Sequence, residues 1–184
     1  MDRREFLKKA GFGSAALAGW PALQAAMAGP ALAHDLPRGK GFFFLTVSQI
    51  PDTPDLLAIS GCGTITKELI VGGGSFAHFQ TVGSPPFPIV ASGHWTAKEL
   101  VSFDPIGQFG VLIAGTAEWE AVLTSVTPSK AVAPATMLMA CNLAPANLFT
   151  GLPEGVVVTV GDASFSQILN GLTVFSRKTA FPAT

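Results

Sequence analysis

From Lys40 onward the apolar residues fall into short runs separated by Gly and Pro, and almost none keeps the 3.6-residue period of a helix. The first run, "FFFLTVSQI" from Phe42 to Ile50, is aromatic and β-branched, and Pro51 and Pro54 close it. "LLAISGCGTITKELIV" follows, with Gly61 and Gly63 marking a bulge or a close backbone approach. The triple glycine that opens "GGGSFAHFQTV" suits a tight turn. Six further runs end with "GVVVTV" and "LTVFSRK". The spacing predicts one all-β domain of about nine or ten short antiparallel strands, a β-sandwich or β-barrel. One helical turn is expected, at "FSQIL" near Phe165.

Alternation within the runs assigns faces. Trp95 and Ala97 share one face while His94, Thr96 and Lys98 share the other, so the tryptophan points to a core and His94 away from it. Trp119, Ala121 and Leu123 likewise oppose Glu118 and Glu120. The run Ala131 to Leu143 is apolar on both faces, which predicts a strand covered on both sides, and Val156 to Val160 reads the same way.

The first thirty-three residues follow a different pattern: a basic head, an Ala- and Gly-rich apolar stretch and a small-residue end. That is the layout of a signal peptide, which is removed before the mature domain works. Glycine and proline dilute the apolar stretch too far for a stable membrane span of about 20 apolar residues. The block Arg3-Arg4-Glu5-Phe6-Leu7-Lys8 resembles the twin-arginine export motif, with Asp2 where Ser or Thr is usual. The resemblance implies export of an already folded protein to the periplasm or beyond, and Arg3, Arg4, Phe6, Leu7 and Lys8 are the residues that carry it. Two A-x-A sites are present, and the one formed by Ala31 and Ala33 makes His34 the first mature residue. The expected organisation is therefore a signal over 1–33 and an all-β domain over 34–184.

Charge changes the picture next. The signal takes four of the eleven basic and two of the twelve acidic residues, leaving seven and ten and a net charge of −3. No basic patch remains, so nucleic acid is not an expected partner. Few charges and few lysines leave strand edges poorly protected, which predicts a homo-oligomer or a partner complex. The flat apolar run containing Phe42, Phe43 and Phe44 is the expected contact.

Candidate chemistry is sparse. Cys62 and Cys141 form an even pair in an exported domain, which favours a disulfide, unless alternation places them on opposed faces. Cys141 has no His or Met downstream in blue-copper spacing, and no nucleophile elbow occurs. A free His34 could offer its amine and ring to copper together with His78 or His94. That arrangement is similar to the histidine brace of lytic polysaccharide monooxygenases and some copper carriers, which implies copper as cofactor and an oxidative or carrier role. The leading expectation is a non-catalytic subunit or binding module of an extracytoplasmic assembly. A carrier of small apolar ligands, its cavity lined by Phe42, Phe43 and Phe44, is the further alternative.

Overall fold

The computed structural model describes residues 39–84, 86–168 and 171–177. Its nine strands are β1 Lys40–Gln49, β2 Asp55–Ile65, β3 Ile70–Gln80, β4 Ile89–Phe109, β5 Leu112–Thr127, β6 Ala131–Cys141, β7 Gly155–Val160, β8 Ala163–Gln167 and β9 Leu172–Ser176. Every pairing is antiparallel, and each strand from β1 to β7 pairs with the next. β1 also pairs with β8 at Ser48 and Gln49, which closes the sheet into a ring. β9 lies beside the other half of β1, from Gly41 to Leu45, and reaches Leu112 and Ile113 of β5. The expected all-β domain is therefore a barrel. Among the described residues no helix is long and apolar enough to cross a membrane. The signal residues Arg3, Arg4, Phe6, Leu7 and Lys8, the cleavage residues Ala31 and Ala33, and His34 lie outside the described residues.

Alternation in β1 turns Phe42 and Phe44 into the barrel, where both are 0% exposed. They meet Trp95 of β4 and Trp119 of β5, with ring centroids 5.5 Å apart for Phe42–Trp119 and 5.6 Å for Phe44–Trp95. Met137 and Met139 of β6 and Val156 and Val158 of β7 complete this layer, all at 0% exposure. Burying each such side chain contributes roughly 1.5–3 kcal/mol.

Rings of that size fit because the facing strands give up their side chains. A Cβ on Gly61 would run into the Trp95 ring, and one on Gly63 or Gly72 would come within 2.6 Å of the Phe42 ring. The β2 register passes Gly61 and Gly63 without a bulge, so close approach is what these glycines serve. Gly72 and Gly74 follow the same logic inside β3, against the Phe42 ring and the β2 backbone, and the tight turn expected of the triple glycine does not form. The chain turns earlier, over residues 66–69, where Thr66 Oγ1 accepts from the backbone N–H groups of Glu68 and Leu69.

Three other expectations are corrected. Phe165 lies in β8, so the helical turn at "FSQIL" is absent. β6 is covered on its inner face, while Val132 on the outer face is 64% exposed. β1 is no edge: β2 flanks it on one side and β8 and β9 on the other, so Phe42 and Phe44 cannot face another chain, while Phe43 points outward. Ring closure gives β1 a neighbour on both sides, so the edge that the charge argument had assumed there does not exist.

Among the described residues, no strand pairs with the outer edge of β4 beyond Thr96. That stretch carries three register shifts, at Ala97/Glu99, Leu100/Ser102 and Pro105/Gly107. Bulges and a proline blunt an edge without lysines. They also set an inward spacing of three, so Leu100 and Phe103 pack against the core at one end of the barrel. Phe103 meets Phe175 edge-on at 5.2 Å and carries the Lys40 ammonium 4.5 Å over its ring.

Candidate binding cavity and its histidine–aspartate pair

The opposite end, where β1, β3, β5 and β7 turn into their successors, is open. A cavity of about 320 Å³ lies there. Ile50, Leu57, Phe76, Leu123, Val160 and Phe165 form its walls, and Ala91, Ala131, Ala133 and Ala163 leave the space. Alanines occupy the inward positions of β6 up to Ala135, whereas Met137 and Met139 fill the same face further along. The cavity therefore begins where β6 side chains shorten.

His78 and Ser125 are the polar side chains in the lining. Ser125 Oγ already donates to the Thr127 carbonyl at 2.8 Å. His78 shares the inward face of β3 with Phe76, and its Nε2 lies 2.8 Å from Asp55 Oδ1. Asp55 opens β2 directly across from Gln80, whose Nε2 donates to the same oxygen at 3.3 Å. The β1–β2 turn fixes Asp55: its N–H donates to Thr53 Oγ1, and Thr53 Oγ1 donates to the Ile50 carbonyl. Asp52 supplies the left-handed backbone of that turn at φ 59°, a conformation Asp tolerates. Thr81 ties the β3–β4 connection to the same turn through the Pro54 carbonyl, at 2.8 Å from its N–H and 3.0 Å from its hydroxyl.

The His78 and Asp55 side chains are 23% and 19% exposed, so the pair sits at the water boundary of an apolar space. The hydrogen bond from His78 holds the Asp55 carboxyl below its ordinary pKa; partial desolvation opposes this, and Gln80 adds to it. Phe165 meets the His78 ring edge-on at 5.6 Å. A carboxylate only accepts, so this contact puts a proton on Nε2, and a ring with that single proton presents Nδ1 as an acceptor.

No protein family, curated protein or solved structure matches the chain.

The remaining predicted site residues divide clearly. His94 points outward from β4, where it pairs with Ser75, so it shares no face with His78. The two are not brought together, and His78 is bonded to Asp55; the copper brace needed either one beside His34, which lies outside the described residues. Among the described residues, no group of three His, Cys, Asp or Glu side chains is placed to hold a metal. Cys62 faces outward from β2 and Cys141 inward from β6, so the expected disulfide is absent and both thiols are free. Cys141 Sγ donates to the Thr173 carbonyl at 3.4 Å, and burial pushes its thiol pKa up. Phe42 and Phe44 fill the barrel rather than line a cavity, which corrects the residues expected to form a carrier's cavity.

Sequence reasoning missed Asp55. It pairs with His78 across 23 residues, through a strand register that no local pattern reveals. His78 was named only as a copper ligand, although alternation with Phe76 would have put it on the inward face.

Proposed function

We propose that the mature chain is a β-barrel binding module that takes a small apolar ligand into its open end. The observation that carries this reading is the cavity of about 320 Å³ whose walls are aliphatic and aromatic, with small residues at the mouth. Ligand pockets begin near 300 Å³ and combine apolar walls with a few placed polar groups. At roughly 30 Å³ per water-sized group, the space suits a molecule of about ten heavy atoms. Calorimetric titration of purified protein with naphthalene tests it. Saturable binding is expected, lost in Ala133→Phe, whose ring would occupy the space. Unchanged binding in that variant places the ligand elsewhere and overturns the reading.

Export belongs to the same proposal, supported by the arginine pair at Arg3 and Arg4 and the small-residue site at Ala31 and Ala33. Replacing both arginines with lysine should hold unprocessed precursor in the cytoplasm, because paired guanidinium groups are the receptor-read address. Normal export of that double variant overturns it.

A role inside a larger assembly is a second reading, favoured by the turn between β4 and β5. Ile106, Phe109 and Val111 are there about half exposed, and apolar side chains grouped on a surface often mark protein contacts. Light scattering decides: Phe109→Ser should lower the mass of the native species, and a wild-type monomer at high micromolar concentration rules the reading out.

A further inference from the structure

The cavity reading has a chemical corollary in the His78–Asp55 pair, and the inference drawn here rests on that reading. We infer that the ligand is an apolar alcohol or phenol whose hydroxyl donates to Nδ1 of His78, with Asp55 as the positioning residue. Asp55 Oδ1 is 2.8 Å from Nε2 and receives the ring's N–H, which leaves Nδ1 as an acceptor. Nothing among the described residues is bonded to Nδ1; the other polar lining group, Ser125 Oγ, spends its proton on the Thr127 carbonyl and keeps acceptor lone pairs, a competing site that the His78→Leu variant separates. The edge contact with Phe165 and the bond to Asp55 hold the ring plane, so the acceptor is placed before any ligand arrives. Preorganisation of this kind selects by hydrogen-bond direction.

Charged alternatives fit less well. No Lys or Arg lines the cavity, so a carboxylate ligand would be buried beside apolar walls and close to Asp55 without a counter-ion. An ammonium would leave water for a space whose nearest carboxylate already serves His78 and Gln80. A neutral hydroxyl meets the acceptor without stranding a charge.

Three probes of nearly one size separate the possibilities: naphthalene, 2-naphthol, which can donate, and 2-methoxynaphthalene, which can only accept. Calorimetry on the wild-type chain should give 2-naphthol roughly three- to tenfold tighter binding than naphthalene, the net effect of one hydrogen bond. The methyl ether should gain nothing over naphthalene. In His78→Leu the ratio of naphthol to naphthalene affinity should fall to about one, whatever the change in naphthalene binding itself. Equal binding of naphthalene and 2-naphthol, or a methyl ether that matches the naphthol, overturns the hydroxyl inference and leaves the cavity reading intact. Failure of all three probes overturns both. The wild-type comparison needs no variant, so a misfolded His78→Leu protein would not rescue the inference.

Discussion

The two ends of the barrel are built from the same alternating strands and differ in what alternation delivers inward. Toward one end β1 offers Phe42 and Phe44, β4 Trp95 and β5 Trp119, and the strands facing them retreat to glycine. β4 then bulges three times and lays Leu100 and Phe103 over the core. Toward the other end Ala91, Ala131, Ala133 and Ala163 take inward positions among Leu57, Phe76, Leu123 and Phe165, and among the described residues nothing is laid across them. Large residues fitted against glycine give a packed interior; larger walls interrupted by alanines leave a space. Close packing and open space thus fall at opposite ends of one sheet.

The same substitution at the two ends should break or confirm that division most sharply. Ala117 is 0% exposed among the core residues, and Ala117→Phe has no room to repack. It is expected to cost about 3 kcal/mol or more, the upper range for overpacking. Ala133→Phe grows into the cavity and should change stability by less than about 1 kcal/mol. Denaturant midpoints measure both. Equal losses would mean that the open end is as tightly packed as the closed one.

Truncation sharpens the comparison from the other side. Trp95 is 1% exposed and donates from Nε1 to the Ser60 carbonyl at 2.9 Å. Trp95→Ala should cost about 3–5 kcal/mol, through a void in the aromatic layer and a lost buried donor. Leu123 already borders the cavity on one side, so Leu123→Ala forfeits fewer packed neighbours. A cost near the low end of the Leu→Ala range, about 2 kcal/mol, is expected. A larger loss for Leu123→Ala than for Trp95→Ala, read from urea titrations, would reverse the assignment.

The closed end was the more legible of the two in the sequence. Aromatic and β-branched alternation marked β1, the inward tryptophans and the outward His94, because period-2 patterning is local. Glycine meaning was half legible: Gly61 and Gly63 signalled close approach, yet Gly72 to Gly74 carried the same signal and read as a turn. What decides between those readings is a ring arriving from another strand, and Phe42 lies 30 residues before Gly72. Ring closure was hidden for the same reason. Poor edge protection is a fault in an open sheet and irrelevant in a closed one, so the interface assigned to Phe42 and Phe44 dissolved. The cysteines turned on parity alone, and the unbroken β2 register keeps Cys62 outside. A thiol reagent should label one cysteine in the native protein and the second after unfolding; absence of both free thiols after unfolding would restore the disulfide.

The smallest expected effect belongs to the open end and tests whether His78 and Asp55 act as a pair. Asp55 has a depressed pKa in the folded chain, chiefly through the hydrogen bond from His78. A carboxyl depressed on folding stabilises the native state in full above its unfolded pKa near 4, and that contribution fades as pH falls through the lower, folded value. At neutral pH, Asp55→Asn should lower stability by about 1 kcal/mol or less, as for a partly exposed pair. Below the folded pKa of Asp55 the wild-type carboxyl is protonated, so wild type and variant should converge. Melting temperatures of both proteins from pH 7 down to pH 2 give the measurement. Curves that run parallel throughout would show that Asp55 does not feel its charge in the fold, and His78 would then lose the partner that sets its tautomer. Mutation of the closed-end Trp95 to Phe should shift both curves down together without altering where they meet, because that end contributes packing rather than a proton equilibrium to the difference.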